Sequence, residues 1–136
     1  MIRVLLIDDE KEATDLLANL LAQWDDISVI DKAHNSSAAL KAFLKHRPDI
    51  VFLDIQMPGS DGLELAKEVK SFGLKTEIVF VTAYEQYAIR ALRQEAFDYL
   101  LKPVSRLELA EVLNRYREVS KYLPSQIKVN TKNGFL

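Results

Sequence analysis

Four short apolar segments, each followed at once by polar or charged residues, constrain the fold of this chain more than any other feature. The segments and the residues after them are 4–7 with Asp8-Asp9, 50–53 with Asp54, 78–81 with Thr82, and 99–101 with Lys102-Pro103. A continuous apolar run without a polar face is typical of a strand covered on both sides, as in parallel sheets. The C-terminal ends of parallel strands meet at one edge of the sheet, where such folds bind ligands. We therefore expect carboxylates, a hydroxyl and an ammonium to converge there.

Segments with helical periodicity separate these strands. Apolar residues recur one turn apart at Leu16, Leu17, Leu20 and Leu21, at Ala39, Leu40, Phe43 and Leu44, and at Leu109, Val112, Leu113 and Tyr116. Further helices are predicted around 63–69 and 88–92, and a short strand at 28–30. Ser105 and Glu108 have the spacing of a capping box before the last helix. Strands and helices that alternate in this way predict an α/β fold with a parallel sheet and right-handed crossovers.

The composition narrows the class of protein. A chain of 136 residues with 49% hydrophobic residues is long enough for one domain with a packed core. The net charge of -2 argues against nucleic-acid binding by this segment itself. The chain has no cysteine, no signal-peptide pattern, and no apolar stretch near the roughly 20 residues of a membrane helix. These features predict a soluble, cytoplasmic domain that does not contact a membrane.

The last residues follow a different pattern. Leu123-Pro124-Ser125 resembles a linker, and residues 126–130 alternate like a new strand. A turn signal at Lys132-Asn133-Gly134 then precedes the start of a return strand. The prediction is one domain over residues 1–122, with residues 123–136 forming a linker and the beginning of a second domain.

Four motifs resemble those of response-regulator receiver domains. They are Ile7-Asp8-Asp9-Glu10, Leu53-Asp54-Ile55-Gln56-Met57-Pro58-Gly59 with Gly62, Val81-Thr82-Ala83, and Leu101-Lys102-Pro103. The resemblance implies a flavodoxin-like, doubly wound, five-stranded parallel sheet in the order 2-1-3-4-5, with helices on both faces. Residues 80–92 and 96–103 look more narrowly like the LytTR (LytR/AlgR) class of transcriptional regulators. Residues 126–136 are similar to the opening hairpin of the LytTR DNA-binding domain.

The resemblance also implies a role for each residue at the sheet edge. Asp54 would accept a phosphoryl group from a sensor histidine kinase. Mg²⁺ would be bound by Asp9, Asp54 and the backbone carbonyl of Gln56, while Asp8 would hold the water molecules of the ion. The protein would catalyse only its own Mg²⁺-dependent phosphorylation and dephosphorylation. It is therefore predicted to be a signalling domain and not an enzyme with a separate substrate.

The remaining implied residues belong to a switch. Lys102 and Thr82 would contact phosphoryl oxygens, and Tyr99 would rotate inward behind Thr82. The Lys102-Pro103 peptide bond is expected to be cis. DNA would be contacted only through the C-terminal domain. A homodimer could form through a face of the fourth helix, fifth strand and fifth helix of the receiver that includes Ile89, Arg90, Arg93, Phe97, Asp98, Arg106 and Glu111.

Simpler interpretations exist for the same residues. Asp8-Asp9 could cap the next helix, Asp54 could be a turn residue, and Thr82 could merely favour a strand. A haloacid-dehalogenase type phosphatase would need Asp-x-Asp after the first strand, where this chain has Asp8-Asp9-Glu10. A receiver-like interaction module without phosphorylation remains a further alternative, although the complete acidic set argues against it. His34 and His46 are predicted to lie away from the acidic cluster.

Overall fold

A computed structural model of the chain describes the backbone of residues 1–130 and the side chains of residues 1–121. The elements in chain order are β1 Ile2–Ile7, α1 Lys11–Leu21, β2 Ile27–Ala33, α2 Ser36–His46, β3 Ile50–Leu53, β4 Gln56–Met57, β5 Ser60–Asp61, α3 Gly62–Ser71, β6 Glu77–Thr82, a 3-10 turn Glu85–Tyr87, α4 Ala88–Arg93, β7 Asp98–Leu101 and α5 Arg106–Asn130. No helix of the described part is both long and apolar enough to cross a membrane.

Five strands form one sheet in the order β2-β1-β3-β6-β7, and every neighbouring pair is parallel. Counted among these five strands alone, the order is 2-1-3-4-5, which confirms the predicted fold. All four residues of the central strand β3 are buried. This burial explains why its sequence is continuously apolar, since a strand covered on both faces has no solvent side for a polar residue.

The strand register brings the polar ends together. Ile7 lies opposite Leu53, Leu53 lies opposite Phe80, and Thr82 lies opposite Leu101. Asp8, which follows β1, Asp54, which follows β3, and Thr82, the last residue of β6, therefore lie on the same edge of the sheet. The convergence predicted from the sequence is present.

A small hairpin follows β3. Strands β4 and β5 pair antiparallel, with Gln56 opposite Asp61 and Met57 opposite Ser60. Gly59 turns the chain with a φ of 72°, a conformation that side chains with a Cβ rarely adopt. The hairpin ends at Asp61, whose side chain accepts a hydrogen bond from the Leu63 N–H and so caps α3.

The chain divides into two compact units, residues 1–104 and 105–136. In the second unit, the Ser105 hydroxyl accepts the Glu108 N–H at 3.0 Å, which is one of the two hydrogen bonds of the predicted capping box. The Glu108 carboxylate contacts the Ser105 hydroxyl at 3.3 Å. Leu109, Val112 and Leu113 are buried, which confirms the apolar stripe of this helix.

Helix α5 continues to Asn130, so the strand predicted at 126–130 is wrong as secondary structure. A helix forms its hydrogen bonds within its own segment, whereas a strand there would need a partner strand. The predicted return strand lies outside the described residues. The division into a domain ending near residue 122 and a following second domain stays a prediction.

Candidate functional site

Three carboxylates meet at the C-terminal edge of the sheet. Asp8 and Asp54 are 6% and 7% exposed, and Asp9 is half-buried. One carboxylate oxygen from each of the three lies within 4.8 Å of the other two. Burying several like charges together is unfavourable unless a cation or hydrogen-bond donors compensate them. The cluster therefore needs positive charge, and its oxygen ligands are the type that Mg²⁺ prefers.

Part of that positive charge comes from Lys102. Its Nζ lies 2.6 Å from Asp8 Oδ2 and 3.0 Å from Asp54 Oδ2. Burial of the ammonium acts to lower its pKa, but the hydrogen bonds with Asp8 and Asp54 outweigh this effect and raise the pKa of Lys102 above its usual value. The lysine is thus held as a cation between two carboxylates. The peptide bond from Lys102 to Pro103 is cis, as predicted.

Thr82 supplies a polar group without a protein partner. Its side chain is fully buried, and its hydroxyl has no hydrogen-bond partner among the residues that the structure describes. Leaving a buried hydroxyl unpaired costs about 1–3 kcal/mol, so an unpaired group of this kind calls for an explanation. Thr82 is the last residue of β6, on the edge of the sheet that carries Asp54.

Tyr99 is anchored on the loop after β6. Its hydroxyl donates a hydrogen bond to the backbone carbonyl of Tyr84, and its ring packs against Phe80 with centroids 6.1 Å apart. Burial, more than any other cause, raises the pKa of Tyr99, and the charge of Asp54 acts in the same direction. Tyr99, on β7, is therefore close enough to Asp54 for an electrostatic effect, and its hydroxyl contacts the loop that follows Thr82.

The loop after Asp54 is fixed by close packing and by two hydrogen bonds of Gln56. A Cβ on Gly62 would overlap the backbone carbonyl of Asp54, so only glycine allows α3 to begin this near. The Gln56 N–H donates to Asp54 Oδ1 at 3.2 Å, and its side-chain amide donates to the Tyr87 hydroxyl at 2.6 Å. The contact with Tyr87 leaves no signal in the sequence, because Gln56 and Tyr87 are 31 positions apart and neither lies in a periodic segment.

His34 was predicted to lie away from the acidic cluster, and that prediction is wrong. Its Nδ1 lies 2.9 Å from the backbone carbonyl of Asp8. The prediction failed because His34 follows β2, and β2 pairs with β1 in parallel, so the ends of both strands lie side by side. His46 is the last residue of α2, and its Nε2 lies 3.2 Å from Asp31 Oδ2.

The simpler helix-capping role of the Asp8-Asp9 pair applies only in part. Glu10 is the N-cap residue of α1, and its side chain makes no capping hydrogen bond. Asp8 Oδ1 does accept the Glu10 N–H at 3.0 Å, but Asp8 Oδ2 binds Lys102. The carboxylate of Asp8 therefore joins the helix start to the site instead of serving the helix alone.

Comparison with known families agrees with this geometry. The family described as "Response regulator receiver domain" matches residues 4–114 of the chain. Transcriptional regulatory protein BtsR of Salmonella typhi is 44% identical over 118 residues, which cover 87% of this chain and 49% of BtsR. Sensory transduction protein LytT of Bacillus subtilis is 39% identical over 121 residues, which cover 89% of this chain and 50% of LytT. The chain thus spans about half the length of these relatives.

A solved structure with the same fold is described as a complex that contains BeF3 and Mg+2. A chain in the CheX-CheY-BeF3-Mg+2 complex from Borrelia burgdorferi superposes with a TM-score of 0.75 at 25% sequence identity, covering 82% of this chain and 86% of that one. The similarity in fold extends over most of both chains.

Proposed function

The chain belongs to the family of response regulator receiver domains, and on that premise we propose that Asp54 accepts a phosphoryl group from the phosphohistidine of a sensor histidine kinase. The observation that carries the proposal is the pairing of buried Asp54 with the Lys102 ammonium at 3.0 Å, on the sheet edge where β6 ends at Thr82, whose hydroxyl has no partner among the described residues. An anionic nucleophile that attacks an anionic phosphoryl group needs positive charge and donors placed in advance.

In this proposal, Asp54 acts as the nucleophile. One Asp54 oxygen attacks phosphorus, the P–N bond to the kinase imidazole breaks, and the electron pair stays with the imidazole. Oδ1 is held by the Gln56 N–H and Oδ2 by Lys102, so the carboxylate is oriented before the reaction. The Lys102 ammonium and the Thr82 hydroxyl would then donate to phosphoryl oxygens.

The residues of the site fit Mg²⁺. Asp8, Asp9 and Asp54 converge as hard oxygen donors with only one ammonium between them, which leaves negative charge to be neutralised. We propose that Asp9, Asp54 and the Gln56 carbonyl hold the ion and that Asp8 orients its water molecules. When bound, Mg²⁺ would neutralise charge on the phosphoryl oxygens. The Mg²⁺ named in the CheX-CheY complex supports this assignment by analogy.

The test is the mass of the intact protein after incubation with acetyl phosphate, a small phosphodonor. We expect one phosphoryl adduct that appears with Mg²⁺, is much reduced when EDTA removes the ion, and is lost in acid or alkali, as an acyl phosphate should be. An adduct that forms equally without divalent cations would contradict the metal assignment. No adduct under any condition, and none from a histidine kinase, would favour the alternative of a protein-interaction module without phosphorylation.

We also propose that the receiver controls transcription in a longer protein through a LytTR DNA-binding domain, with DNA contacted only by that domain. The resemblance of residues 80–103 to this class supports the proposal, as does the description of the relative BtsR as a transcriptional regulatory protein. The backbone of residues 126–130 is helical, so these residues do not support a LytTR domain through the hairpin that was expected there. The output domain is therefore proposed from the receiver and its relatives alone.

Phosphorylation is further proposed to promote a homodimer through the surface of α4. Ile89 and Leu92 are 65% and 64% exposed and three residues apart on this helix, so they form an exposed apolar pair on one face. Arg90 and Arg93 lie on the same helix, so an acidic residue of the second copy could approach them. A two-fold dimer would bring two DNA-binding domains to adjacent half-sites.

Sedimentation of the protein with Mg²⁺, with and without beryllofluoride as a phosphoryl mimic, measures this effect. We expect beryllofluoride to shift the protein towards dimer at micromolar concentration, and Leu92→Asp to abolish the shift. The matched control is Leu44→Asp. Leu44 is also an exposed leucine (43% exposed), but it lies on α2, so the Leu44→Asp protein should dimerise like the wild type. A monomer under all conditions, or a shift that survives Leu92→Asp, would exclude this surface.

A further inference from the structure

His34 lies between two structural elements that are both firmly placed. The residue before it, Ala33, is the last residue of β2 and is paired with Ile7 of β1. The residue after it, Asn35, caps α2 by accepting the Ala38 N–H at 2.8 Å. The backbone of His34 is thus fixed on both sides, and its half-buried side chain reaches the end of β1.

The hydrogen bond to Asp8 defines the chemistry of the imidazole ring. A backbone carbonyl can only accept, so the Nδ1 atom of His34, 2.9 Å from the Asp8 oxygen, must carry the proton. The Asp8 N–H donates in turn to the Ala33 carbonyl at 3.1 Å. Both backbone groups of Asp8 are therefore bound on the β2 side, one residue beyond the last paired strand positions.

This contact acts on a specific peptide unit. The Asp8 carbonyl belongs to the planar peptide that joins Asp8 to Asp9, so fixing the carbonyl direction fixes the rotation of the whole plane. That plane sets where the Asp9 side chain leaves the backbone. It also holds Asp8, whose carboxylate is shared between Lys102 and the Glu10 N–H.

We propose that His34 is a positioning residue for the metal site: its Nδ1–H orients the Asp8–Asp9 peptide so that both carboxylates point towards the ion. The inference rests on the proposed function, because it assumes that these carboxylates bind Mg²⁺. A residue that only stabilised the fold would change the melting temperature but not the affinity for the ion. Residues that orient metal ligands change that affinity when they are removed.

Four variants separate these roles. His34→Leu removes the donor, whereas His34→Asn keeps an amide N–H at the position of Nδ1, since both nitrogens are bonded to Cγ. His34→Gln remains polar but moves its N–H one bond further out. His46→Leu is the matched control, because His46 is also half-buried and pairs with Asp31 instead of with the site.

The measurement is the Mg²⁺ dissociation constant, obtained by NMR titration of backbone amides with MgCl₂ alone. We expect His34→Leu and His34→Gln to weaken binding by about threefold or more, and His34→Asn and His46→Leu to stay within about twofold of the wild type. The concentration of Mg²⁺ that half-saturates phosphorylation by acetyl phosphate should shift in parallel, with little change in the rate at saturating Mg²⁺.

Equal Mg²⁺ affinity in the wild type, His34→Gln and His34→Leu would overturn the inference, even if the melting temperatures differed. A His34→Asn protein as weak as His34→Gln would also overturn it, because the donor at the Nδ1 position would then not be what matters. If His34→Leu does not fold, the difference in Mg²⁺ affinity between His34→Asn and His34→Gln still tests the proposal. Wild-type protein that binds Mg²⁺ but is never phosphorylated would contradict the proposed function and leave the role of His34 standing.

Discussion

We expect Asp54→Asn to lose phosphorylation completely, with no adduct detectable by intact mass under conditions in which the wild type is modified. The substitution keeps the size and shape of the side chain but replaces an anionic oxygen with a neutral amide, which is a poor nucleophile. It also removes one of three clustered negative charges, so the protein should fold at least as well as the wild type. The loss would therefore reflect chemistry and not unfolding.

The control for this prediction lies at the other end of the same strand. Asp49 directly precedes β3 and accepts a hydrogen bond from the Arg3 N–H at 2.8 Å, whereas Asp54 directly follows β3. Asp49→Asn should therefore be phosphorylated like the wild type. An adduct that persists in Asp54→Asn, or one that is stable in acid, would show that a different residue is the acceptor.

The second large effect concerns Lys102. In the absence of Mg²⁺, Lys102→Met should destabilise the fold by on the order of 2 kcal/mol, because it leaves two buried carboxylates, Asp8 and Asp54, without their cation. For a domain of this size the melting temperature should fall by roughly 5–10 °C. Adding Mg²⁺ should restore more stability to Lys102→Met than to the wild type, since the ion supplies the missing positive charge and binds only the folded state.

The effect of Lys102 should also depend on pH in a defined direction. The pKa of Lys102 is raised in the folded protein above the usual 10.5. The stability that its ion pairs contribute is therefore fully present below about pH 10.5 and is lost as the pH rises through the folded pKa. Thermal melts should show the wild type and Lys102→Met converging at high pH, with the largest difference near neutral pH.

Lys11→Met is the control for a general effect of lost charge. Lys11 pairs with Asp15 at 2.8 Å, but its side chain is 76% exposed, so its removal should leave the melt unchanged within error. Lys102→Met protein that melts like the wild type without Mg²⁺ would mean that the ammonium does not stabilise the buried carboxylates. An equal loss in Lys11→Met would point to the same conclusion.

The strands and the acidic site could be predicted from the sequence because both depend on local patterns. A short apolar run such as Ile50–Leu53 is typical of a strand buried on both faces, and the polar residue after it then lies at the strand end. Strands that run parallel bring such ends to one edge whatever the details of packing. Asp8, Asp54 and Lys102 meet in the structure for this reason, and Thr82 ends β6 on the same edge.

Local choices between similar residues were less predictable. Asn35 caps α2, although Ser36 and Ser37, which follow it, are residue types with a comparable preference for the N-cap position. On α4, Ala91 is buried while the larger Ile89 and Leu92 are exposed, so hydrophobicity alone did not identify the buried face. In both cases, several residues have comparable intrinsic preferences, and the direction in which the helix leaves the sheet selects one of them.

By itself, the sequence determined the fold class and the residues at the sheet edge, because periodicity and the polar residue after each strand are properties of single segments. The strand order was implied by the resemblance of its motifs to those of receiver domains. Only the tertiary structure decided which distant side chains contact that edge. His34 reaches the Asp8 carbonyl, and Tyr87 binds the Gln56 side chain. Such contacts depend on the register between strands and on the path of the loops, and hydrogen bonds between residues 26 and 31 positions apart leave no periodic pattern in the sequence.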